Sequence, residues 1–277
     1  MKAGMNLLLW TGAATEEHIG LIKDIKGWGY DGVEFPMFDL EGSPWATLAT
    51  ACDDNGLGRT VVGCLPEGAN LINEDAGQRQ AGVDFLKGCV DCCAILGAKT
   101  LAGPIYSPVG LLVGRGPNDD EFKWAKDGLH EVGEHAAQAG ISLSVEALNR
   151  FETYFVNTQA QVTKLIDAID LDNVGHMYDT FHANIEEKGI ADAIRTGGGN
   201  INHVHVSSND RGAPGEDHIP WGETFATLKE VGYNGWLTVE AFGSWIPELA
   251  GATCIWRQMA KSEEHVAKTG LKTIQRW

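Results

Sequence analysis

Short apolar runs alternate with longer segments along the whole chain. Eight runs have the length and character of buried strands, and the segments between them repeat apolar positions with the period of a helix. The predicted strands cover 4–10, 31–35, 59–64, 99–104, 141–146, 174–179, 201–206 and 236–240. The predicted helices cover 15–28, 43–56, 74–96, 119–139, 158–169, 188–197, 221–231 and 244–270.

Five glycines stand where a predicted helix ends and a strand follows. They are Gly29, Gly56, Gly97, Gly140 and Gly232. Glycine just past a helix adopts the left-handed conformation that terminates it, so these positions support the count of elements. Strands that alternate with crossover helices form a parallel sheet. Eight such units in 277 residues predict one α/β domain over 1–277, a single (β/α)8 TIM barrel.

Alternation within the strands indicates which side chains face the inside of the barrel. In the fifth strand, Glu146 lies opposite the face that carries Leu143 and Val145. The seventh and eighth strands alternate in the same way and turn His205 and Glu240 inward. The sixth strand fits this alternation less well, because His176 and Tyr178 would face outward. The inward position of Asp179 is therefore less well supported.

Charge excludes some classes of protein. The chain has 21 basic and 38 acidic side chains and a formal net charge of −17. A surface that binds nucleic acid requires a cationic footprint, so no nucleic acid partner is expected. No apolar run approaches the roughly 18 residues of a membrane span, and no membrane association is expected. The charge suits a protein that handles neutral or cationic small molecules.

Three of the six cysteines, Cys89, Cys92 and Cys93, crowd into one helical segment. A Cys-x-x-Cys pair could indicate redox chemistry or zinc, but no second pair stands at zinc-finger spacing. Free cysteine is among the most buried residue types, so core packing is the favoured interpretation. This cysteine usage predicts a reducing cytoplasm.

Four metal-type ligands stand near the ends of the last four strands. They are Glu146, Asp179, His205 and Glu240, separated by 33, 26 and 35 residues. Parallel strands deliver such side chains to one mouth of a barrel, where barrel enzymes keep their chemistry. A mixed oxygen and nitrogen set suits Mn²⁺, Co²⁺ or Mg²⁺ better than structural zinc. The alternative is that each acid is exposed or partnered and binds no metal.

Several motifs resemble one known family. They are EALNRFE at 146–152, DTFH at 179–182, HVHVSSNDRGAPGEDHIPW at 203–221 and TVEAF at 238–242. Together they resemble the ketose 3-epimerases, the D-tagatose and D-allulose 3-epimerase group of the xylose-isomerase-like barrels. The resemblance implies an isomerase that interconverts C3 epimers of a free ketose of the D-tagatose, D-allulose/D-fructose or L-ribulose type. It also implies a homodimer or homotetramer.

The resemblance assigns roles to individual residues. It implies that Glu146, Asp179, His205 and Glu240 hold one divalent metal, Mn²⁺ before Co²⁺ or Mg²⁺. Glu146 and Glu240 would also form the acid/base pair that acts through a metal-stabilised enediolate.

Three further positions match the family's polar substrate contacts: Glu152, His182 and Arg211. Each has an alternative interpretation, as a solvated loop acid, a helix-cap partner and a surface cation respectively. The chain departs from some family members at Asn6, where they carry an aromatic residue. Substrate preference is therefore left open.

Other functions remain possible on the same barrel. Aldose–ketose isomerisation, hydroxypyruvate-type isomerisation and polyol dehydration also need a positioned base and a metal. A metal-dependent endonuclease would need basic loops, against which the net charge of −17 argues. A non-catalytic sugar- or metal-binding module is the third class, but it has no use for two carboxylates on different strands.

Overall fold

Eight parallel strands close into a barrel. The computed structural model describes residues 1–277. The strands pair in chain order, and the first also pairs with the last, which closes the sheet. The strands are β1 (Lys2–Asn6), β2 (Gly32–Pro36), β3 (Gly58–Val62), β4 (Thr100–Gly103), β5 (Ser142–Glu146), β6 (Val174–Asp179), β7 (Ile201–Val206) and β8 (Trp236–Val239).

Helices follow the strands and pack around the sheet, so the predicted (β/α)8 TIM barrel is confirmed. They are α1 (Ile19–Trp28), α2 (Trp45–Asp54), α3 (Ala76–Leu96), α4 (Asp119–Gln138), α5 (Gln159–Ile169), α6 (Thr180–Glu186), α7 (Ile190–Gly197), α8 (Trp221–Glu230), α9 (Pro247–Ala252) and α10 (Glu263–Gln275). The five glycines predicted to end helices all have positive φ angles.

Most predicted elements differ from the observed ones by a few residues at their ends, and two differences have a clear structural cause. The strand predicted over 4–10 ends at Asn6, because the Asn6 side chain accepts a hydrogen bond of 2.8 Å from the Leu8 backbone and starts a short 3-10 helix over Leu7–Leu9. The helix predicted over 244–270 is wrong as a single element. It is divided into α9 and α10, and Cys254 between them has a φ of 58°, which no helix accommodates.

The main hydrophobic core lies between the sheet and the surrounding helices. Leu143 and Val145 belong to it, as the alternation in the fifth strand predicts. Cys89 and Cys93 are buried there too, which confirms their role in packing, and all six cysteines are free. Tyr178 of β6 belongs to a second apolar cluster outside the barrel, so its neighbour Asp179 faces inward. No helix combines the length and the apolar character needed to cross a membrane.

One buried glutamate anchors the loop that follows β4. Glu121 in the first turn of α4 accepts hydrogen bonds of 2.8–2.9 Å from Arg115. It also accepts hydrogen bonds of 2.8 Å from the Asn118 backbone and from the Tyr154 hydroxyl. Tyr154 belongs to the loop after β5, so one carboxylate ties together two loops at the mouth of the barrel.

We predict that Glu121→Gln lowers the free energy of unfolding by about 1–3 kcal/mol at pH 7, the usual cost of impaired hydrogen bonding to a charged group. Burial raises the pKa of Glu121, but the hydrogen bonds from Arg115, Asn118 and Tyr154 outweigh it and hold the pKa below its usual range. The contribution is thus complete above the unfolded pKa of about 4.3 and is lost as the pH falls through the folded pKa. Urea denaturation across this range measures it.

The matched control is Glu131→Gln on the same helix, where the exposed glutamate pairs with Lys87. That change costs less than about 1 kcal/mol. A difference between wild type and Glu121→Gln that stays constant down to the lowest pH would contradict the role of the ionised carboxylate.

Candidate active site

Four strand ends at one mouth of the barrel carry the predicted ligands. Glu146 and Asp179 are the last residues of β5 and β6, His205 is the penultimate residue of β7, and Glu240 follows β8 directly. All four are buried. The ligand atoms of Asp179, His205 and Glu240 lie within 4.8 Å of one another, and Asp179 belongs to a second such group with Glu146 and His182. The structure therefore brings the predicted set together.

One nitrogen of this set is buried without a hydrogen-bond partner. It is Nδ1 of His205, which lies 3.3 Å from Glu240 Oε1 and 3.7 Å from Asp179 Oδ2. Burial lowers the pKa of His205, but the carboxylates of Glu240 and Glu34 outweigh it and raise the pKa well above its ordinary value. The Nδ1 position attracts positive charge, either a proton or a metal ion. The residues present therefore fit a divalent cation.

The carboxylates of the site are crowded. Burial, followed by the charges of Asp179 and Glu240, raises the pKa of Glu146 well above its ordinary value. Burial acts in the same direction on Asp179, but Arg211 and the neighbouring histidines outweigh it and hold the pKa of Asp179 below its usual range. The ionised form of a carboxylate in this site therefore depends on cationic partners, because burial reduces its hydration.

Arg211 supplies one of these cationic partners. Its Nη1 donates a hydrogen bond of 3.1 Å to Asp179 and a second hydrogen bond to Glu240. The guanidinium lies between the rings of Phe181 and Phe242, 4.0 and 4.9 Å from their centroids. Arg211 also has a φ of 63°, an uncommon conformation for a residue with a side chain. The sequence alternative of an ordinary surface cation is therefore wrong, because Arg211 is buried.

Glu152 and His182 are held by one asparagine. The Asn149 backbone donates to His182 Nδ1 at 3.0 Å, and the Asn149 side chain donates to Glu152 Oε1 at 2.9 Å. His182 Nε2 lies 2.9 Å from the Arg211 guanidinium. Burial, assisted by Arg211, lowers the pKa of His182 to about 3, so the ring is neutral at neutral pH. The three predicted substrate contacts thus lie beside the predicted ligands.

The sequence assigned no definite role to several polar residues below the site, and for Glu34 a place at the mouth and a structural role were equally open. Glu34 at β2 is completely buried, and its two oxygens lie 2.6 and 2.7 Å from His205 Nε2 and His203 Nε2. Burial raises the pKa of Glu34, but the two histidines outweigh it and hold the pKa below its usual range. The signal was present: Glu34 lies near a strand end, and His203 shares the inward face of β7 with His205. Asn149 lies inside the motif that contains Glu146 and Glu152.

A cavity of about 600 Å³ opens above these residues. Its inner end is polar, and its rim is formed mainly by apolar side chains from loops after several strands. The loops after β4 and β7 contribute through Val109 and Arg211. The polar lining residues include Glu146, Asn149, Glu152, His182, Arg211 and Glu240. A small polar ligand in this cavity could contact Glu146, Arg211 and Glu240 together.

Fold and site define a barrel enzyme with a buried acidic centre that could hold a metal. A model of the family described as "Xylose isomerase-like TIM barrel" matches residues 22–276. A protein of Synechocystis sp. named "Probable ketose 3-epimerase" is 32% identical to this chain, over 99% of the chain and 96% of the relative. The L-ribulose 3-epimerase of Mesorhizobium japonicum is 30% identical, over 99% of the chain and 96% of the relative.

Solved structures agree with these relatives. The D-allulose 3-epimerase of Methylomonas sp., in complex with D-allulose, superposes with a TM-score of 0.94 at 25% identity and covers 100% of this chain and 96% of that chain. The chain belongs to the xylose isomerase-like TIM barrel family, and within it to the ketose 3-epimerases. It is therefore an isomerase.

We predict that Arg211→Met, measured in EDTA, lowers the free energy of unfolding by about 3 kcal/mol, because two buried carboxylates lose their shared partner. Arg150→Met is the control, since Arg150 is exposed and pairs with Glu186 outside the site. Its cost is below about 1 kcal/mol. Equal losses in the two variants, measured by urea denaturation, would show that burial of the Arg211 pairs is not what stabilises this mouth.

Proposed function

We propose that the protein is a metal-dependent epimerase that inverts C3 of a free ketose. The observation that carries this proposal is the placement of Glu146 and Glu240. Both are buried and line the same cavity, one at the end of β5 and the other after β8. Between them along the barrel wall lie β6 and β7, which carry Asp179 and His205. Two carboxylates can therefore approach one bound sugar from different sides.

A divalent cation would be held by Glu146, Asp179, His205 and Glu240. The set offers carboxylate oxygens and one imidazole nitrogen and no thiolate, which favours Mn²⁺, with Co²⁺ and Mg²⁺ as alternatives. When bound, such an ion supplies Lewis-acid stabilisation of negative charge on neighbouring substrate oxygens. The unpartnered Nδ1 of His205 supports this assignment.

Proton transfer is assigned to the two glutamates. The hydrogen at C3 is acidic because it is alpha to the C2 carbonyl, so one carboxylate can remove it as a proton and leave an enediolate. The other glutamate then delivers a proton to the opposite face of C3, which forms the new C3–H bond and restores the ketone. Glu146 and Glu240 exchange the roles of base and acid when the substrate has the opposite configuration at C3.

Arg211, His182 and Glu152 are proposed to hold the reacting end of the sugar. Arg211 and His182 are within 2.9 Å of each other, and Asn149 connects His182 to Glu152. Arg211 and His182 would bind O1 or O2, and Glu152 would help hold the same end. Because Phe181 and Phe242 flank Arg211, the guanidinium is pre-oriented before substrate arrives.

The lining of the cavity supports an unphosphorylated substrate. Arg211 is the only lysine or arginine among the lining residues, and it already faces Asp179 and Glu240. A phosphate ester would require further cationic groups at the rim. The apolar rim instead favours an unphosphorylated sugar of the D-tagatose, D-allulose/D-fructose or L-ribulose type.

The proposal also covers domain organisation, cellular compartment and oligomeric state. The chain forms one domain over 1–277, and its free cysteines fit a reducing cytoplasm. A homodimer or homotetramer is supported by the exposed apolar residues Val109, Leu112, Phe151 and Trp256, which lie outside the helices and strands.

We predict that the protein treated with EDTA is inactive and that Mn²⁺ or Co²⁺ restores turnover. With D-fructose, D-tagatose or L-ribulose in D₂O, deuterium should appear at C3 of the ketose, because the proton returned to C3 exchanges with solvent. NMR of the recovered sugar locates the label. Deuterium at C1 with formation of an aldose would contradict the proposal and indicate an aldose–ketose isomerase.

We predict that Glu240→Gln lowers kcat at saturating Mn²⁺ by about 10²–10⁴-fold, the usual contribution of a positioned acid or base. Glu248→Gln is the control, since Glu248 is an exposed acid on α9. Its kcat should equal that of wild type. Full activity of Glu240→Gln would remove Glu240 from the proton-transfer pair.

A further inference from the structure

A carboxylate buried below the site is surrounded by donors. Glu34 has no exposed surface. Its Oε1 lies 2.6 Å from His205 Nε2 and accepts a hydrogen bond of 3.0 Å from Asn6. Its Oε2 lies 2.7 Å from His203 Nε2 and accepts a hydrogen bond of 2.8 Å from the Thr60 hydroxyl. Both oxygens of Glu34 therefore act as hydrogen-bond acceptors.

The separations around Glu34 fit hydrogen bonding better than a second metal ion between Glu34 and the two histidines. Ligand atoms that surround an ion at octahedral distances of about 2.1 Å lie about 3 Å apart. The separations of 2.6 and 2.7 Å from Glu34 to His205 and His203 are shorter than this and match hydrogen-bond distances. A hydrogen bond therefore connects Glu34 to His205.

The contact between Glu34 and His205 decides which ring nitrogen faces the site. Glu34 Oε1 already accepts a hydrogen bond from Asn6, so its short contact with His205 places the donated proton on His205 Nε2. In the neutral ring, Nδ1 then keeps its lone pair. That lone pair points to the position between Glu240 and Asp179, 3.3 and 3.7 Å away. This is the orientation that a metal-binding histidine requires, and a second-nitrogen hydrogen bond commonly enforces it.

Asn6 extends the same arrangement to the other carboxylate. Its Nδ2 lies 3.0 Å from Glu34 Oε1 and 3.4 Å from Glu240 Oε1. The orientation of its amide is determined, because Asn6 Oδ1 accepts the Leu8 backbone N–H at 2.8 Å. An aromatic residue at this position could make neither contact. In this chain, Glu34 is thus connected to two proposed ligands, His205 directly and Glu240 through Asn6.

We propose that Glu34 is a positioning residue of the metal centre, which holds His205 as the Nε2–H tautomer and turns its Nδ1 toward the cation. The inference rests on the proposed ligand set. Glu34 is not among the residues that line the cavity, so we assign it no contact with the substrate. Its carboxylate also makes the His205 ring a stronger electron donor, because negative charge at Nε2–H raises the basicity of Nδ1.

The first test compares Mn²⁺ affinity in three proteins: wild type, Glu34→Gln and Glu121→Gln. The signal of free Mn²⁺ in electron paramagnetic resonance measures the dissociation constant. Glu34→Gln keeps the shape of the side chain and removes its charge, and we expect an affinity about 10–100-fold weaker than that of wild type. Glu121→Gln makes the same change at a buried glutamate outside the site, and we expect wild-type affinity despite its lower stability.

The second test needs no variant. In wild type labelled with ¹⁵N-histidine and loaded with Mg²⁺, which is diamagnetic, long-range ¹H–¹⁵N correlations identify the tautomer of each ring. We expect a proton on Nε2 of His205 and none on Nδ1. A proton on Nδ1 would overturn the inference, even if Glu34→Gln failed to fold.

The outcomes separate this inference from the proposed function. If wild type binds no Mn²⁺, the ligand set and the proposed function fail together. If wild type binds one Mn²⁺ and Glu34→Gln binds it equally well, only the role of Glu34 is overturned. A loss of thermal stability without a loss of affinity would likewise reduce Glu34 to a structural residue.

Discussion

The mouth of the barrel depends on compensation of buried negative charge. Glu146, Asp179 and Glu240 meet there with little exposure to water, and burial disfavours the ionised forms of Glu146 and Asp179. Arg211 forms ion pairs with Asp179 and Glu240. An unpartnered nitrogen of His205 faces the same two carboxylates. Burying these charges carries a desolvation penalty, so the arrangement does not serve the stability of the fold. It is useful where a cation and a developing oxyanion must be held in a site from which water is excluded.

The barrel makes this crowding possible because parallel strands end at one rim. The four converging side chains lie at or next to the ends of β5, β6, β7 and β8. Their geometry is therefore set by the sheet. Residues just beyond the strands then orient the rest. Asn149 connects His182 to Glu152, and two phenylalanines flank Arg211. The catalytic proposal therefore places proton transfer on rigid strand ends and substrate binding on braced loops.

Most of the fold was predictable because its signals are local. Eight apolar runs and five helix-ending glycines gave the barrel, since strand length and left-handed turns depend on neighbouring residues. The errors have local causes that the pattern did not express. Asn6 ends β1 early through its own side-chain hydrogen bond, and α9 and α10 are separated by a backbone turn at Cys254. Alternation left Asp179 in doubt, which was resolved once Tyr178 was found in a core outside the barrel.

The sequence by itself determined the type of barrel, the strand ends that carry acids and histidines, and the family. Those depend on periodicity and on residue types at set spacings. Only the tertiary structure decided which polar groups share one buried volume. Glu34 is 171 residues from His205 along the chain, yet the two are 2.6 Å apart. No local pattern encodes that contact, because it exists only when β2 and β7 face each other across the closed barrel.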